Sequence, residues 1–131
     1  MAVRDSSLSK AAKKRSFANV PKRKDYAAVL PRIMARDKAS IMACKKKSMN
    51  NPSMDITEVV GKDKYAQQMF KKMSAERLEE ILEKGFDQIC EEFAAGTLSR
   101  NTKINVGSDA ENKFVTSLYN TYWVTFLTRI K

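Results

Sequence analysis

The stretch between Ser74 and Gly96 carries apolar side chains at intervals of three and four residues, which is the spacing of an amphipathic helix. Turn-forming residues are scarce in the chain, with 4 glycines and 3 prolines among 131 residues. Sandwiches and barrels need many turns, so this composition disfavours an all-β fold and favours a chain of helices. The apolar stripe of the helix predicted over 75–95 consists of Leu78, Ile81, Leu82, Phe86, Ile89, Cys90 and Phe93.

Capping signals bound two of the predicted helices. Ser74 is a suitable N-cap for helix 75–95, and Gly96 is a suitable end. Ser108 with Glu111 forms the clearest capping box in the chain. A last helix is therefore expected from about residue 109 to the C-terminus.

The remaining helices are less sharply bounded. Asp55 with Glu58 resembles a capping box and predicts a helix through roughly 56–73, weakened at Gly61. Residues 26–48 show helical spacing, and Pro31 suits a first helical turn, so the main helix is expected to begin near it. Asp37 lies on the apolar side of this helix and is an exception to its pattern.

Positive charge is concentrated at one end of the sequence. Residues 1–50 contain 14 Lys and Arg against 3 Asp and Glu, a net charge of +11, whereas residues 51–131 contain 11 against 12, a net charge of −1. Such asymmetry indicates a polyanion partner for the first part and protein contacts for the second. We therefore divide the chain into a basic extended arm (1–25), a basic helical segment (26–50) and a near-neutral helical bundle (51–131), with a hinge near 50–53.

The candidate nucleic-acid-binding residues come from the basic part. The arm shows neither helical nor strand periodicity and carries two basic clusters, which would bind phosphates and release counterions. The segment after it places basic and small residues opposite its apolar side, so that a phosphate backbone can approach closely. The predicted contacts are Lys13, Lys14, Arg15, Lys22, Arg23, Lys24, Arg32, Arg36 and Lys47.

The residues needed for common catalytic and metal sites are missing from the sequence. The chain has no histidine, which excludes Ser-His and Cys-His nucleophile systems and leaves no zinc-ligand pattern. No glycine-rich phosphate loop occurs. Cys44 and Cys90 lie within helical patterns and are interpreted as small buried hydrophobic residues. We expect no catalytic residues, no metal and no cofactor.

The last helix is unusually rich in aromatic residues, which span more than one of its sides. A helix whose apolar face is broader than one core requires often contacts a partner. The alternative, a core helix of a small bundle, stays open. The predicted assembly interface consists of Tyr119, Tyr122, Trp123 and Phe126. For the acidic side of helix 75–95, a solvated surface and a contact with the basic side of a neighbouring subunit both stay open.

The layout of a short helical chain with a basic N-terminal part resembles the major capsid proteins of filamentous archaeal viruses, of the rudivirus, lipothrixvirus and tristromavirus kind. The local element is the basic run into Lys14-Arg15-Ser16-Phe17, which is similar to the opening of some members. The resemblance implies dimers that wrap DNA with the arm and helices, while the C-terminal bundles form an outer shell. It implies that DNA would be lined by Lys13, Lys14, Arg15, Lys22, Arg23, Lys24, Arg32 and Arg36.

A second, competing resemblance concerns residues 74–106, which look like the long central helix and following loop of a histone fold. It depends on the spacing of apolar residues in the helix and on the segment Thr102-Lys103-Ile104. The apolar residues at suitable spacing are Leu78, Ile81, Leu82 and Ile89.

Together these observations predict an all-α structural protein that is not an enzyme and coats or compacts nucleic acid, most simply double-stranded DNA, through sequence-independent backbone contacts. The expected partners are nucleic acid and a second subunit, either the same chain or a paralogue. We expect a viral capsid or nucleoprotein subunit located in a virion; the alternatives are a histone-like chromatin protein in a nucleoid or nucleus, a ribosome-associated RNA-binding protein in the cytoplasm, and a capsid protein without genome contact. No apolar run approaches the ~20 residues that span a bilayer, and the N-terminus lacks an apolar signal core, so neither a membrane span nor secretion is expected.

Overall fold

A computed structural model describes residues 22–130, in which every regular element is a helix, and the predicted all-α class is confirmed. The helices are α1 (Arg23–Asn50), α2 (Thr57–Val60), α3 (Lys64–Lys72), α4 (Ala75–Ala95), α5 (Asp109–Tyr122) and α6 (Val124–Leu127). Residues 1–21, which contain most of the predicted arm, lie outside the described part.

The longest helix, α1, begins at Arg23, so the expectation of a start near Pro31 is wrong. Pro31 lies inside the helix, and its ring removes the N–H that would bond the Ala27 carbonyl. Packing of the preceding turns compensates for this loss. The ring of Tyr26 makes edge-on contacts with Phe93 at 5.8 Å and Phe126 at 5.3 Å between ring centroids.

Helix α1 packs along α4 in the opposite direction. Tyr26, near the start of α1, contacts Phe93, near the end of α4. Farther along α1, the Lys38 ammonium lies 2.8 Å from Glu83 Oε1 and 3.5 Å from Glu79 Oε2. The predicted hinge at 50–53 is a turn, but α1 contributes to the same hydrophobic core as the helices that follow it. Residues 23–25, assigned to the arm by sequence, belong to this helix.

Glycine divides the helix predicted over 56–73. Gly61 has a φ of 77°, in the left-handed region, and separates α2 from α3. Asp55 Oδ1 accepts a hydrogen bond from the Thr57 amide at 2.9 Å, but the predicted capping box with Glu58 does not form. Asp63 caps α3 instead, by accepting from the Tyr65 amide.

The other predicted helix ends are confirmed. The Ser74 side chain accepts from the Arg77 amide at the start of α4, and Gly96 ends α4 in the left-handed conformation. Ser108 and Glu111 form the complete capping box at the start of α5. The last helix breaks at Trp123, so α5 and α6 replace the continuous helix that was expected.

The connection between α4 and α5 contains no helix or strand. Its backbone is held by side chains of the flanking helices. Gln88 accepts from the Asn105 amide at 2.8 Å, and Thr116 accepts from the Ile104 amide at 2.9 Å. A Cβ atom added at Gly85 would lie 2.7 Å from Val115 Cγ1, so α4 approaches α5 closely only because this residue has no side chain.

Three of the four aromatic residues predicted to form an assembly interface lie in the core instead. Tyr119 and Trp123 have 0 % of their surface exposed and Phe126 has 7 %. Tyr122 is partly buried, and its hydroxyl donates to the Glu58 carbonyl. Aromatic residues lie on several sides of α5 and α6 because this part of the chain packs against α1, α2 and α4 at once. As folded, these side chains have little surface left for a partner, and the core alternative is the one observed.

A hydrogen bond from Trp123 explains why Asp37 lies on the apolar side of α1. The indole Nε1–H donates to Asp37 Oδ2 at 2.8 Å, and both residues are buried. A carboxylate on the apolar side of α1 is therefore a hydrogen-bonded part of the core, as buried polar groups usually are. The bond joins residues 86 positions apart.

We expect Trp123→Phe to lower the free energy of unfolding by about 1–3 kcal/mol, because the Asp37 carboxylate loses this donor while staying buried. Urea denaturation followed by far-ultraviolet circular dichroism measures the change. The double variant Asp37→Leu/Trp123→Phe should recover part of the loss, since it removes the buried charge as well. An unchanged urea midpoint for Trp123→Phe would show that the bond does not stabilise the fold.

Glu111, at the start of α5, forms a bidentate ion pair with Arg77 of α4. Arg77 Nε lies 2.7 Å from Glu111 Oε2, and Arg77 Nη2 donates to Glu111 Oε1 at 2.7 Å. The hydrogen bond from Arg77, supported by the Ser108 amide, lowers the pKa of Glu111 to about 2. The folded carboxyl thus binds its proton less tightly than the unfolded one, whose pKa is about 4.3.

Stability from this pair should be fully present above pH ~4.3 and should be lost as the pH falls toward 2. Glu111→Gln lacks the titrating group. The urea midpoints of parent and variant should therefore differ at neutral pH and converge near pH 2. A difference that stays constant across this range would contradict the assignment.

Candidate nucleic-acid interface

The outward side of α1 combines small and basic residues. The buried side chains of the helix follow one stripe, from Tyr26 through Met34 and Ile41 to Ser48. Because an α-helix has 3.6 residues per turn, the residues between these positions face solvent. We define the outward face by its exposed members Ala28, Arg32, Ala35, Arg36, Ala39, Ala43, Lys46 and Lys47.

The structure groups most of the described predicted contacts on or next to this face. Arg32, Arg36 and Lys47 belong to the outward face. Lys22, Arg23 and Lys24 are exposed at the N-terminal end of the helix. The predicted contacts Lys13, Lys14 and Arg15 lie outside the described residues.

Arg23 differs from the other predicted contacts because it already covers part of α4. A Cβ atom built on Gly96 would lie 2.8 Å from Arg23 Nη1. The guanidinium therefore lies over the C-terminal end of α4, where the helix dipole favours a cation. Arg23 is exposed but has a structural role as well.

Few acidic side chains offset the outward face. Within α1, the acidic residues are Asp25, which is exposed, and Asp37, which is buried against Trp123. Lys38 turns away from the face to contact Glu79 and Glu83 of α4. The bond to Glu83, together with the charge of both carboxylates, raises the pKa of Lys38. The basic and acidic sides of the α1–α4 pair are thus kept apart.

One basic residue of α1 is buried and serves the fold. Lys45 is 2 % exposed, and its ammonium donates to the Phe70 carbonyl at 2.6 Å and to the Lys71 carbonyl at 3.2 Å. Carbonyls in the last turn of a helix lack intrahelical partners, so Lys45 caps α3. Burial lowers the pKa of this lysine. Its position four residues after Ile41, on the buried stripe, was the sequence signal that distinguished it from Lys46 and Lys47.

Two further lysines extend the basic surface, and sequence reasoning did not select them. Lys71 and Lys72 are exposed at the end of α3. Lys71 lines a pocket of about 300 Å³ next to the C-terminal end of α1, together with Ser48 and Met49. The contact of Lys45 with the end of α3 is a tertiary interaction. No local sequence pattern therefore predicts that Lys71 and Lys72 lie near α1.

Other kinds of site find no support among residues 22–130. These residues contain no group of His, Cys, Asp and Glu side chains that could hold a metal ion. Cys44 and Cys90 are half-buried free thiols, and burial raises the pKa of Cys90 to about 11. Within the same range, no helix has the length and apolar character needed to cross a bilayer.

Comparison with known proteins gives no further assignment, since no family model, curated protein or solved structure matches this chain.

The distinction between Lys45 and its neighbours can be tested. We expect Lys45→Ala to lower the free energy of unfolding by about 1–3 kcal/mol, because two carbonyls at the end of α3 lose their donor. Lys46→Ala, at an exposed position, should change it by less than about 0.5 kcal/mol. Urea denaturation of both variants checks this. Equal stability of the two would mean that Lys45 does not hold α3.

Proposed function

We propose that this protein binds nucleic-acid backbones without reading sequence, and that it coats or compacts double-stranded DNA as a subunit of a nucleoprotein assembly. The observation that carries the proposal is the outward face of α1, where exposed Arg32, Arg36, Lys46 and Lys47 alternate with alanines. Because the other residues of this face are alanines, a phosphate backbone can approach the helix closely.

The dimensions of the face suit a duplex. Arg32 and Lys47 are separated by fifteen residues, or about 22 Å at a rise of 1.5 Å per residue. That length corresponds to roughly six base-pair steps of 3.4 Å. Charges spaced in this way can neutralise several phosphates and release their counterions, which is the main source of sequence-independent affinity.

The acidic side of α4 would fix the orientation of binding. Its exposed carboxylates include Glu83, Asp87 and Glu91, on the flank of α1 next to the outward face. Phosphates are repelled by carboxylates and attracted by the outward face, so the outward face is favoured over the acidic side of α4 for contact with the duplex. A bound copy would then present its acidic side away from the nucleic acid.

The basic N-terminal residues would add to this interface. Lys13, Lys14 and Arg15 precede the start of α1 by eight to ten residues, and exposed Lys22, Arg23 and Lys24 continue the basic tract into the helix. A basic segment continuous with a basic helix lengthens the tract available for phosphates. The proposal of a virion location and of partner subunits follows from the coating role and stands or falls with it.

The salt dependence of binding to a short DNA duplex tests the proposal. We expect Arg32→Ala/Arg36→Ala/Lys47→Ala to weaken binding and to reduce the slope of log affinity against log salt by up to about 2.7, since each lost phosphate contact removes about 0.9. Fluorescence anisotropy with labelled duplexes of unrelated sequences gives both the affinity and its salt slope.

The matched control is Lys84→Ala/Arg100→Ala/Lys113→Ala, which removes the same charge from exposed positions elsewhere. Its slope should stay close to that of the parent. Equal losses in the two variants would mean that net charge, and not the outward face, determines binding. Tighter binding to structured RNA than to duplex DNA would favour the ribosome-associated alternative, and electron microscopy showing no regular coating of DNA would rule out the coating role.

A further inference from the structure

The buried ammonium of Lys45 lacks a counter-charge in the part of the chain that the structure describes. The side chain is 2 % exposed, and among residues 22–130 its ammonium donates only to the carbonyls of Phe70 and Lys71. No carboxylate of the same residues lies within ion-pair distance of it. Buried charges are usually paired, because leaving water is unfavourable for an ion. Two neutral carbonyls offset this effect only in part.

A pocket of about 300 Å³ lies beside this lysine. Its lining consists of Lys45, Ser48, Met49, Pro52 and Lys71, so the pocket brings a second ammonium group to the same place. No carboxylate is among these lining residues. Lys71 is exposed in the last turn of α3, and its flexible stem allows the ammonium to turn toward the pocket. The charge around the pocket is therefore positive.

The hydrogen-bonding groups of the lining side chains favour an oxygen anion. An ammonium group has three N–H donors and no acceptor, and α3 uses two of those of Lys45, which leaves one for a further acceptor. The Ser48 hydroxyl donates to the Lys45 carbonyl at 2.8 Å, so this hydroxyl is not a donor for a ligand. The side-chain donors left are the two ammonium groups. Lysine ammonium groups bind phosphate as point charges.

We propose that this pocket binds a phosphate group between the ammonium groups of Lys45 and Lys71. The anion would supply the counter-charge that Lys45 lacks. The negative ends of the α1 and α3 dipoles oppose an anion at this place. Lys45 already covers two carbonyls at the end of α3, however, and so reduces the repulsion from that helix. Binding of phosphate in the pocket does not depend on the proposed function.

The pocket lies at the C-terminal end of the outward face, and a second step, which rests on the proposed function, follows from this position. Lys46 of the outward face comes directly after Lys45 in α1. A nucleic-acid backbone that follows the outward face to its end would therefore bring a phosphate close to the pocket. Phosphate contacts fix the position of a protein on nucleic acid. A phosphate held by the buried Lys45 would fix that position more firmly than exposed lysines, whose side chains are free to move.

Titration of the isotope-labelled full chain with inorganic phosphate, at constant ionic strength, tests the site by nuclear magnetic resonance. We expect saturable shifts of the amide signals of Ser48 and Lys71, and none at Glu91 of α4. Lys71→Gln should weaken phosphate binding roughly tenfold, because a charge-assisted hydrogen bond is lost. The contact of Lys45 with the Lys71 backbone does not involve the substituted side chain. The matched control Lys72→Gln removes the same charge from an exposed position that does not line the pocket, and it should keep the parent affinity.

A short DNA duplex distinguishes a backbone phosphate from free phosphate. If the pocket holds a backbone phosphate, the duplex should shift the same two amide signals. Lys71→Gln should then lower the slope of log affinity against log salt by about 0.9, the share of one phosphate contact. A duplex that binds without shifting the Ser48 and Lys71 signals would reject the second step and assign the pocket to the free anion.

Two results with inorganic phosphate would overturn the proposal. Shifts that do not saturate would show that no site exists. Equal weakening by Lys71→Gln and Lys72→Gln would show that net charge, and not the pocket, attracts the anion. The salt slopes of the outward-face variants report separately on the proposed function, so phosphate binding that persists while those slopes stay unchanged would keep the site and reject the function.

Discussion

The antiparallel packing of α1 on α4 is the constraint on which the other features of this protein depend. Twenty-eight residues of a strongly basic helix are held against an acidic helix through one apolar stripe. Tyr26 fixes one end of the stripe, the Asp37–Trp123 bond fixes its middle, and Lys45 fixes the far end to α3. Since each anchor uses a different partner element, α1 cannot slide or turn without losing buried hydrogen bonds.

Because the stripe fixes the rotation of α1, it also decides which charges face solvent. Arg32, Arg36 and Lys47 lie outward, whereas Lys45, a neighbour of Lys47 in sequence, is used inside. Lys38 lies between the two sides and pairs with Glu79 and Glu83 on the acidic side of α4. Core packing therefore decides which of the basic side chains supplied by α1 face solvent.

The parts of the fold that were predictable from sequence are those with local causes. Helix α4 was identified from its apolar period, and Ser108 with Glu111 marked the start of α5 because a capping box is formed by residues three apart. Pro31 was misleading, since its cost inside α1 is offset by the packing of Tyr26 with Phe93 and Phe126, which are distant in sequence. The partners of Trp123 and Lys45 were beyond local reasoning, because Asp37 and the end of α3 are brought to them only by the tertiary fold.

Burial of the aromatic residues changes the kind of assembly that this protein can form. With Tyr119, Trp123 and Phe126 inside, the large apolar side chains exposed in residues 22–130 are Val29 and Met49, twenty residues apart on α1, and Tyr65 on α3. Isolated exposed apolar residues do not form an interface of the hydrophobic kind. Contacts between copies that use this surface must then be made by polar and charged groups, whose attraction is weakened by salt. Under the proposed function, nucleic acid would neutralise the basic side of each copy and so act as the scaffold on which copies gather.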